Sequence, residues 1–355
     1  MAANDILFDS AVRHQVFIER LKTHEANEML KFFNRGIAND IAADIVKSNP
    51  TLRAEKRFRS LKQKLTAEIR GAFGEITNRH ASSSQEIAIM EAEFQAKILN
   101  KVARPIGLEF ILPSRTQLKA IVNTEFVRGR FVKDWFKGIG DDLAATVVSE
   151  IQIGLVEGDS IAQIVRRIKG TRAAGFTDGI LNKSRHELNT IVRTSVNNVS
   201  TQAKELTYEA NEDAIKGVQY NATLDGRTTQ ICGNLDGQVF PIMEGPRPPQ
   251  HFNCRSTTSP IIKPLNEIPG LENIGDLPAS TRASFNGQVP ATTTYPTFLN
   301  KQTTAFQNEA LGPGKAKIFR KLVREGQSPE GALRKLTSTN NRPLTVEAIR
   351  KKEGL

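Results

Sequence analysis

Apolar residues recur at helical spacing through Val12–Phe33, Leu52–Ile69, Ile87–Leu99, Leu118–Phe136 and Leu143–Leu155, with few alternating stretches among them. That period suits helices and not strands, so the chain is expected to be predominantly helical up to about Asn211. Asp159-Ser160 reads as an N-cap for a short helix through Ile168, glycines between Gly170 and Gly179 end it, and a longer helix is expected from about Lys183 to about Asn211. From Gly217 the pattern changes. Val218-Gln219-Tyr220 alternates, and Gln238-Val239-Phe240 and Ser256 to Ile262 are short strand candidates separated by Gly, Asn, Asp and Pro. The expected fold is therefore mainly α with a small β-rich knuckle (α+β) at about 217 to 262 and an extended C-terminal arm. The arm is expected because Pro264, Pro269, Pro278, Pro290 and Pro296 read as an extended linker. After it come short helices around Phe298 to Ala310 and Lys315 to Glu325, and Ser328-Pro329-Glu330, an N-cap with Pro at the first helical position. Four regions follow: 1–155 helical, 156–262 around the knuckle, 263–296 a Pro-rich linker, and 297–355 a basic helical arm.

Aromatics make up only 6% of the 355 residues, with a single Trp, so the core must be mainly aliphatic. Lys plus Arg total 49 against 38 for Asp plus Glu, a net charge of +11 that favours a polyanionic neighbour. The excess concentrates in two segments. Arg53, Lys56, Arg57, Arg59, Lys62 and Lys64 in the first, and Lys315, Lys317, Arg320 and Lys321 in the second, are candidate nucleic-acid contacts; a solvated helix face is the alternative for each. No apolar run reaches the ~18 residues of a membrane span, and Met1-Ala2-Ala3-Asn4-Asp5 begins neither a signal peptide nor a lipidation motif. A soluble protein made in the cytoplasm is expected.

Both cysteines lie between Asp225 and Arg255. Two thiols in so long a chain are no disulfide framework. Cys232, His251 and Cys254 are the ligand types Zn²⁺ prefers, and one tight turn can present both His251 and Cys254. Three ligands are not four; Asp225 or a water is the candidate for the fourth place. Alternatively the two cysteines pack as small apolar groups and His251 hydrogen-bonds a turn. Asp225, Arg227, Asp236 and Arg255 can lock the knuckle by Arg–carboxylate forks. Upstream, Ile191, Val192, Val196 and Val199 make an apolar stripe that should be buried. Arg193, within the same helix, is expected to clamp Asp225, or failing that Asp236. No phosphate-binding Gly-x-x-x-x-Gly-Lys-Ser/Thr loop, His-Glu-x-x-His, Gly-x-Ser-x-Gly or Gly-x-Gly-x-x-Gly occurs, and Glu91-Ala92-Glu93 reads as a solvated helix face, so no catalytic residue is assigned and no enzymatic activity is expected.

Arg193-Thr194, Asp225-x-Arg227-Thr228, Leu235-Asp236-Gly237 and Pro248-Pro249-x-His251-x-x-Cys254-Arg255, in that order, resemble the Mu F-like head morphogenesis proteins, the phage minor head protein family. The likeness extends weakly back to Gly154 through Ser160, so its specific part covers roughly the middle third. Asp134-Trp135-Phe136 and the Tyr295 to Leu299 region are only loosely similar to the family's flanks. In many relatives the position of Thr229 is a cysteine that would complete a metal-binding tetrad; here it is Thr. The resemblance implies a virion protein of the capsid interior at the portal vertex, made in the host cytoplasm without a membrane step, that assists procapsid assembly, DNA packaging or genome retention. Its implied partners are the portal protein, the major capsid or scaffolding protein, and packaged double-stranded DNA. The competing reading is a zinc-supported nucleic-acid-binding or processing protein acting outside the virion.

Overall fold

In the computed structural model residues 3–51, 54–103, 107–124, 126–264, 281–290 and 292–354 are described; Arg53, Pro269 and Pro278 lie outside them. In chain order the elements are α1 (Ala3–Arg35), α2 (Ile37–Ser48), α3 (Glu55–Ala103), α4 (Arg115–Ala120), a 3₁₀ turn, β1 (Phe126–Val127), β2 (Arg130–Phe131), α5 (Val132–Glu157), α6 (Ile161–Lys169) and α7 (Leu181–Glu209). Then follow β3 (Ile215–Asn221), α8 (Gln230–Leu235), β4 (Val239–Phe240), β5 (Thr257–Ile262), β6 (Thr281–Ser284), β7 (Gly287–Pro290), α9 (Tyr295–Asn300), α10 (Thr304–Leu311), α11 (Pro313–Arg324), α12 (Pro329–Lys335) and α13 (Val346–Glu353). The protein is mainly α with small antiparallel sheets, as its periodicity requires. Among the described residues no helix is long and apolar enough to cross a membrane.

Two compact units are formed. A helical unit takes Arg20–Ile87 and Lys119–Val199; a knuckle unit takes Met1–Glu19, Ala88–Leu118 and Ser200–Leu355. The four regions expected from the sequence follow the chain in order, whereas these units interleave it, because α1, α3 and α7 each contribute residues to both.

The helical unit closes on Phe33, Ile45, Leu65, Ile69, Phe73, Phe136, Val147, Ile151, Leu188 and Val192. Gly140 is needed where α5 meets α3, since a Cβ there would stand 3.0 Å from the Phe73 side chain. The helices expected separately at Leu52–Ile69 and Ile87–Leu99 are one element, α3. No proline falls between Glu55 and Ala103, and the buried Phe73, Ile76, His80 and Ser84 carry its inner face across the gap. Conversely, Leu118–Phe136 is not one helix. Arg128 and Gly129 take φ +52° and +82°, turning Phe126-Val127 back on Arg130-Phe131 as a two-residue hairpin before α5 begins. Ser160 caps α6 as expected, its hydroxyl accepting from the Gln163 amide while the Gln163 side chain accepts from the Ser160 amide.

In the knuckle unit the sheet order is β4-β3-β5, all antiparallel, with Tyr220 opposite Thr258 and Val218 opposite Pro260 on one side and Phe240 on the other. Gly217 permits this closeness: a Cβ there would lie 2.4 Å from the Phe240 carbonyl oxygen. The sheet packs with Leu7, Leu99, Phe110 and Tyr208. Beyond it, the expected extended arm is instead folded. Ala316, Phe319 and Leu322 of α11 lie at helical spacing and join Leu224, Tyr295, Phe298, Leu333 and Ile349 in a cluster of their own. Asn234 donates to Thr337 and Asn341, tying α8 to this module. Nor is all of 263–296 a linker, because 281–290 forms the hairpin β6–β7. Ser328 caps α12 with Pro329 next to it, as expected.

Candidate functional site

The site begins where β3 ends. After Asn221 the chain turns through Asp225, and Thr229 starts α8 by accepting from the Cys232 amide. That hydroxyl is thereby occupied at the place where a third cysteine would supply a fourth ligand. Cys232 faces the loop before β5, in which the Cys254 amide donates to the His251 carbonyl at 3.2 Å. Cys232 Sγ lies 3.3 Å from His251 Nε2 and 3.7 Å from Cys254 Sγ, and the three ligand atoms fall within 4.8 Å of one another. Tyr220 donates its hydroxyl to Cys232 Sγ at 3.3 Å. Both cysteines are buried.

His251 Nδ1 lies 2.8 Å from the Phe252 carbonyl, which can only accept, so Nδ1 carries a proton. Nε2 is the atom turned to the sulfurs, the tautomer that suits a metal ligand. The Cys232 thiol donates to Cys254 and, against the cost of burial, with His251 adding to it, holds the Cys254 thiol well below its ordinary range. The same bond, together with burial, pushes the Cys232 thiol well up. Burial works against a charged His251, but the Cys254 sulfur beside it prevails and raises its pKa. Two sulfurs and a nitrogen so disposed can take a soft or borderline metal ion.

Asp225 does not join them. Its carboxylate accepts two guanidinium nitrogens of Arg255, one at 2.8 Å, and the Arg227 amide at 2.9 Å. Burial opposes its ionisation, yet Arg255 still draws its pKa down. The fourth place assigned to Asp225 is thus corrected: that carboxylate is committed to a structural fork. Asp236 is equally committed, accepting from the Ala222 amide at 2.7 Å, the Tyr295 amide at 2.6 Å and both terminal nitrogens of Arg282 at 2.9 and 3.0 Å. The clamp expected of Arg193 is therefore supplied from within the knuckle unit, by Arg255 and Arg282, while Arg193 donates to Thr23 at 2.7 Å. Arg227 projects its side chain into solvent. Gly237, at φ +79°, donates to the Tyr220 carbonyl, and Pro249 follows Pro248 through a cis bond. The stripe of Ile191, Val192, Val196 and Val199 is buried, but so are Thr194, Ser195, Asn197 and Asn198, so this part of α7 is covered except at the half-buried Arg193.

Arg282 escaped the sequence reading because it sits in a Pro-rich stretch. Asn286-Gly287, a hairpin turn signal four residues later, would have found it. Glu91 is not on the solvated face that its sequence suggests. It is fully buried and accepts from His14 and Ser200 at 2.9 Å each and from Gln95 at 2.7 Å, with Lys204 at 3.9 Å; only its neighbour Glu93 is the solvated residue expected. Burial alone would raise its pKa, but Lys204 and His14 overcome that and bring it to about 2.

The basic segments divide. Lys56, Arg57 and Lys62 are exposed, whereas Arg59 pairs with Glu55 and Lys64 with Asp44 and Glu68. Lys317 and Lys321 are exposed, but Lys315 and Arg320 are half-buried, donating to Gln230 and to Gln307 and Asn308.

Residues 145–259 match the family described as Phage Mu protein F like protein, a span that takes in α7, β3, β4, the Cys/His cluster and the start of β5. The match covers less than half of the chain and makes this segment similar to the Mu F-like proteins. No curated protein and no solved structure matches it.

Proposed function

From a Mu F-like segment at residues 145–259, we propose that the protein is a minor head protein of a tailed phage, bound at the portal vertex inside the capsid, where it assists procapsid assembly, DNA packaging or genome retention. The family match carries this reading. The role is one of binding. Portal and major capsid or scaffolding protein are its protein partners, and the exposed Lys56, Arg57, Lys62, Lys317 and Lys321 meet packaged double-stranded DNA without sequence preference. Mass spectrometry of purified virions should find the chain, and a pull-down with the portal protein should retain it. Absence from virions would remove the reading.

The three donors within 4.8 Å favour a second element, a zinc ion held by Cys232, His251 and Cys254 with water or a partner's side chain completing the set. Bound there, the metal would tie α8 to the loop before β5 and make the knuckle's stability depend on it. Purified protein should then carry about one equivalent of metal per chain and melt at lower temperature with a chelator. No metal and no chelator effect would leave two packed thiols. A zinc-dependent protein found only outside virions would instead support the nucleic-acid-processing alternative.

A further inference from the structure

The hairpin β1–β2 stands outside everything the knuckle explains. A hairpin this short would ordinarily turn its aromatics inward, yet Phe126 is 52% exposed and Phe131 is 40% exposed. They face each other across the pair, ring centroids 5.3 Å apart and planes at 75°. Around them Arg128, Arg130 and Lys133 are exposed, Lys133 lying 5.5 Å over the Phe131 ring. From residue 119 to 137 the chain carries five cations, Lys119, Arg128, Arg130, Lys133 and Lys137, against two acids, Glu125 and Asp134.

Beneath the hairpin lies a cavity of about 200 Å³ lined in part by Phe131, Lys133, Phe136, Asn123, Thr77 and His80. It is below the ~300 Å³ at which pockets for larger ligands begin, and two aromatic walls with a few polar groups suit one flat ring. His80 is buried, its Nε2 bonded to Ser195, while Nδ1 has no hydrogen-bond partner.

We propose that hairpin β1–β2 binds single-stranded nucleic acid, stacking an unpaired base on its exposed rings, placing another in the cavity beside Phe131, and holding the backbone with Arg128, Arg130 and Lys133. Single strands are chosen over duplex because a base offers its face to an aromatic ring only when unstacked, and here two rings are held ready within a cationic surround. A protein partner for the same rings would have to bring acids to the exposed Arg130 and Lys133 beside them. This inference does not depend on the head-protein reading.

The chain's single tryptophan reports on this place. Trp135 donates its indole N–H to the Val127 carbonyl at 3.0 Å, and Arg130 lies 5.0 Å over its ring, so an oligonucleotide engaging Arg130 must change the tryptophan emission, whereas one held by the other basic segments would not. Titration of the full chain with a short oligothymidylate should give a saturable emission change, and the same strand annealed to its complement should give little. Phe126→Ala with Phe131→Ala should weaken the single-strand affinity by roughly tenfold or more, as expected for lost base stacking. Phe131→Tyr should retain it. Both rings are partly exposed, so circular dichroism should show the fold kept; Arg128→Glu, its fold checked in the same way, provides a second variant and should also weaken binding. Unchanged affinity in the double-alanine variant, no emission change, or an equal change with duplex would overturn the proposal.

Discussion

The helical unit and the knuckle unit solve the same burial problem with different chemistry. In the helical unit the interior is mostly Phe73, Ile151, Leu188 and similar groups; Lys22 and Asp44 are buried charges there, while ion pairs such as Arg70–Asp141 and Arg59–Glu55 stand at its exposed rim. The knuckle unit buries its charges: Asp236 with Arg282, and Glu91 with His14 and Lys204, are all below one-tenth exposed. A small sheet with two-residue β4 has little apolar surface to offer, so directional bonds to carboxylates replace area as the means of fixing its loops. The consequence is a difference in tolerance. An aliphatic core accepts volume-conserving changes, whereas one half of a buried fork cannot be removed without leaving the other charged and unpaired.

The largest expected effect follows from that contrast. Asp236→Ala would strand Arg282, whose Nη atoms also bond the Thr293 and Ala222 carbonyls, and release the Ala222 and Tyr295 amides together. A loss of about 3–5 kcal/mol is expected by chemical denaturation. Ile151→Val, in the interior of the helical unit, should cost only about 0.5–1.5 kcal/mol. If the two cost the same, the buried fork is no more demanding than a methyl group and the contrast fails.

The same contrast explains what could be read from the residues alone. Helical period, the Ser160 and Ser328 caps and the close His251/Cys254 spacing are local signals, each carried by residues within a turn or two, and outside Leu118–Phe136 they correspond to the structure. Pairings across the chain are not local. Arg282 reaches Asp236 from 46 positions away, and Ser200 reaches Glu91 from 109, so nothing near Glu91 distinguishes it from Glu93 except the fold itself. In the C-terminal module the prolines suggest extension, whereas the stripe of Ala316, Phe319 and Leu322 requires a partner surface and prevails. Hairpin β1–β2 was lost inside a helical period that Gly129 interrupts.

An acid titration should separate the two units at a smaller cost. His80, fully buried, has its pKa pulled down from 6.5 to about 4 by burial. The unfolded chain therefore binds a proton before the folded one does, and stability from this group falls as pH drops from 6.5 towards 4, by on the order of 3 kcal/mol. Burial acts against ionised Glu91, but Lys204 and His14 lower its pKa from 4.5 to about 2, so its contribution is intact above 4.5 and drains as pH falls towards 2. Hydrogen exchange followed from pH 7 to pH 3 should show protection failing first along the His80 stretch of α3 and only later around Glu91 and Tyr208. The reverse order would show that these two groups do not govern acid stability.

The smallest effect tests whether burial, rather than the mere presence of a guanidinium, gives the knuckle its rigidity. Asp225 has an Arg on each side. Arg255, with only 18% of its side chain exposed, grips both carboxylate oxygens; Arg227, 79% exposed, approaches no nearer than 3.9 Å with its side chain. Its contribution comes instead through the main chain, because the Arg227 amide donates to Asp225 whatever side chain the residue bears. Arg227→Ala should therefore change stability by no more than about 0.5 kcal/mol, within the range of exposed pairs, and that little should vanish in salt. Arg255→Ala should cost about 2 kcal/mol, since it leaves a half-buried carboxylate with only its amide donor and the Thr228 hydroxyl, and salt should alter that loss far less. Equal losses for the two arginines, measured in the same denaturation series, would mean that solvent reaches both sides of Asp225 alike, and the turn before α8 would then have to be held by Thr228 and Thr229 instead of by the fork.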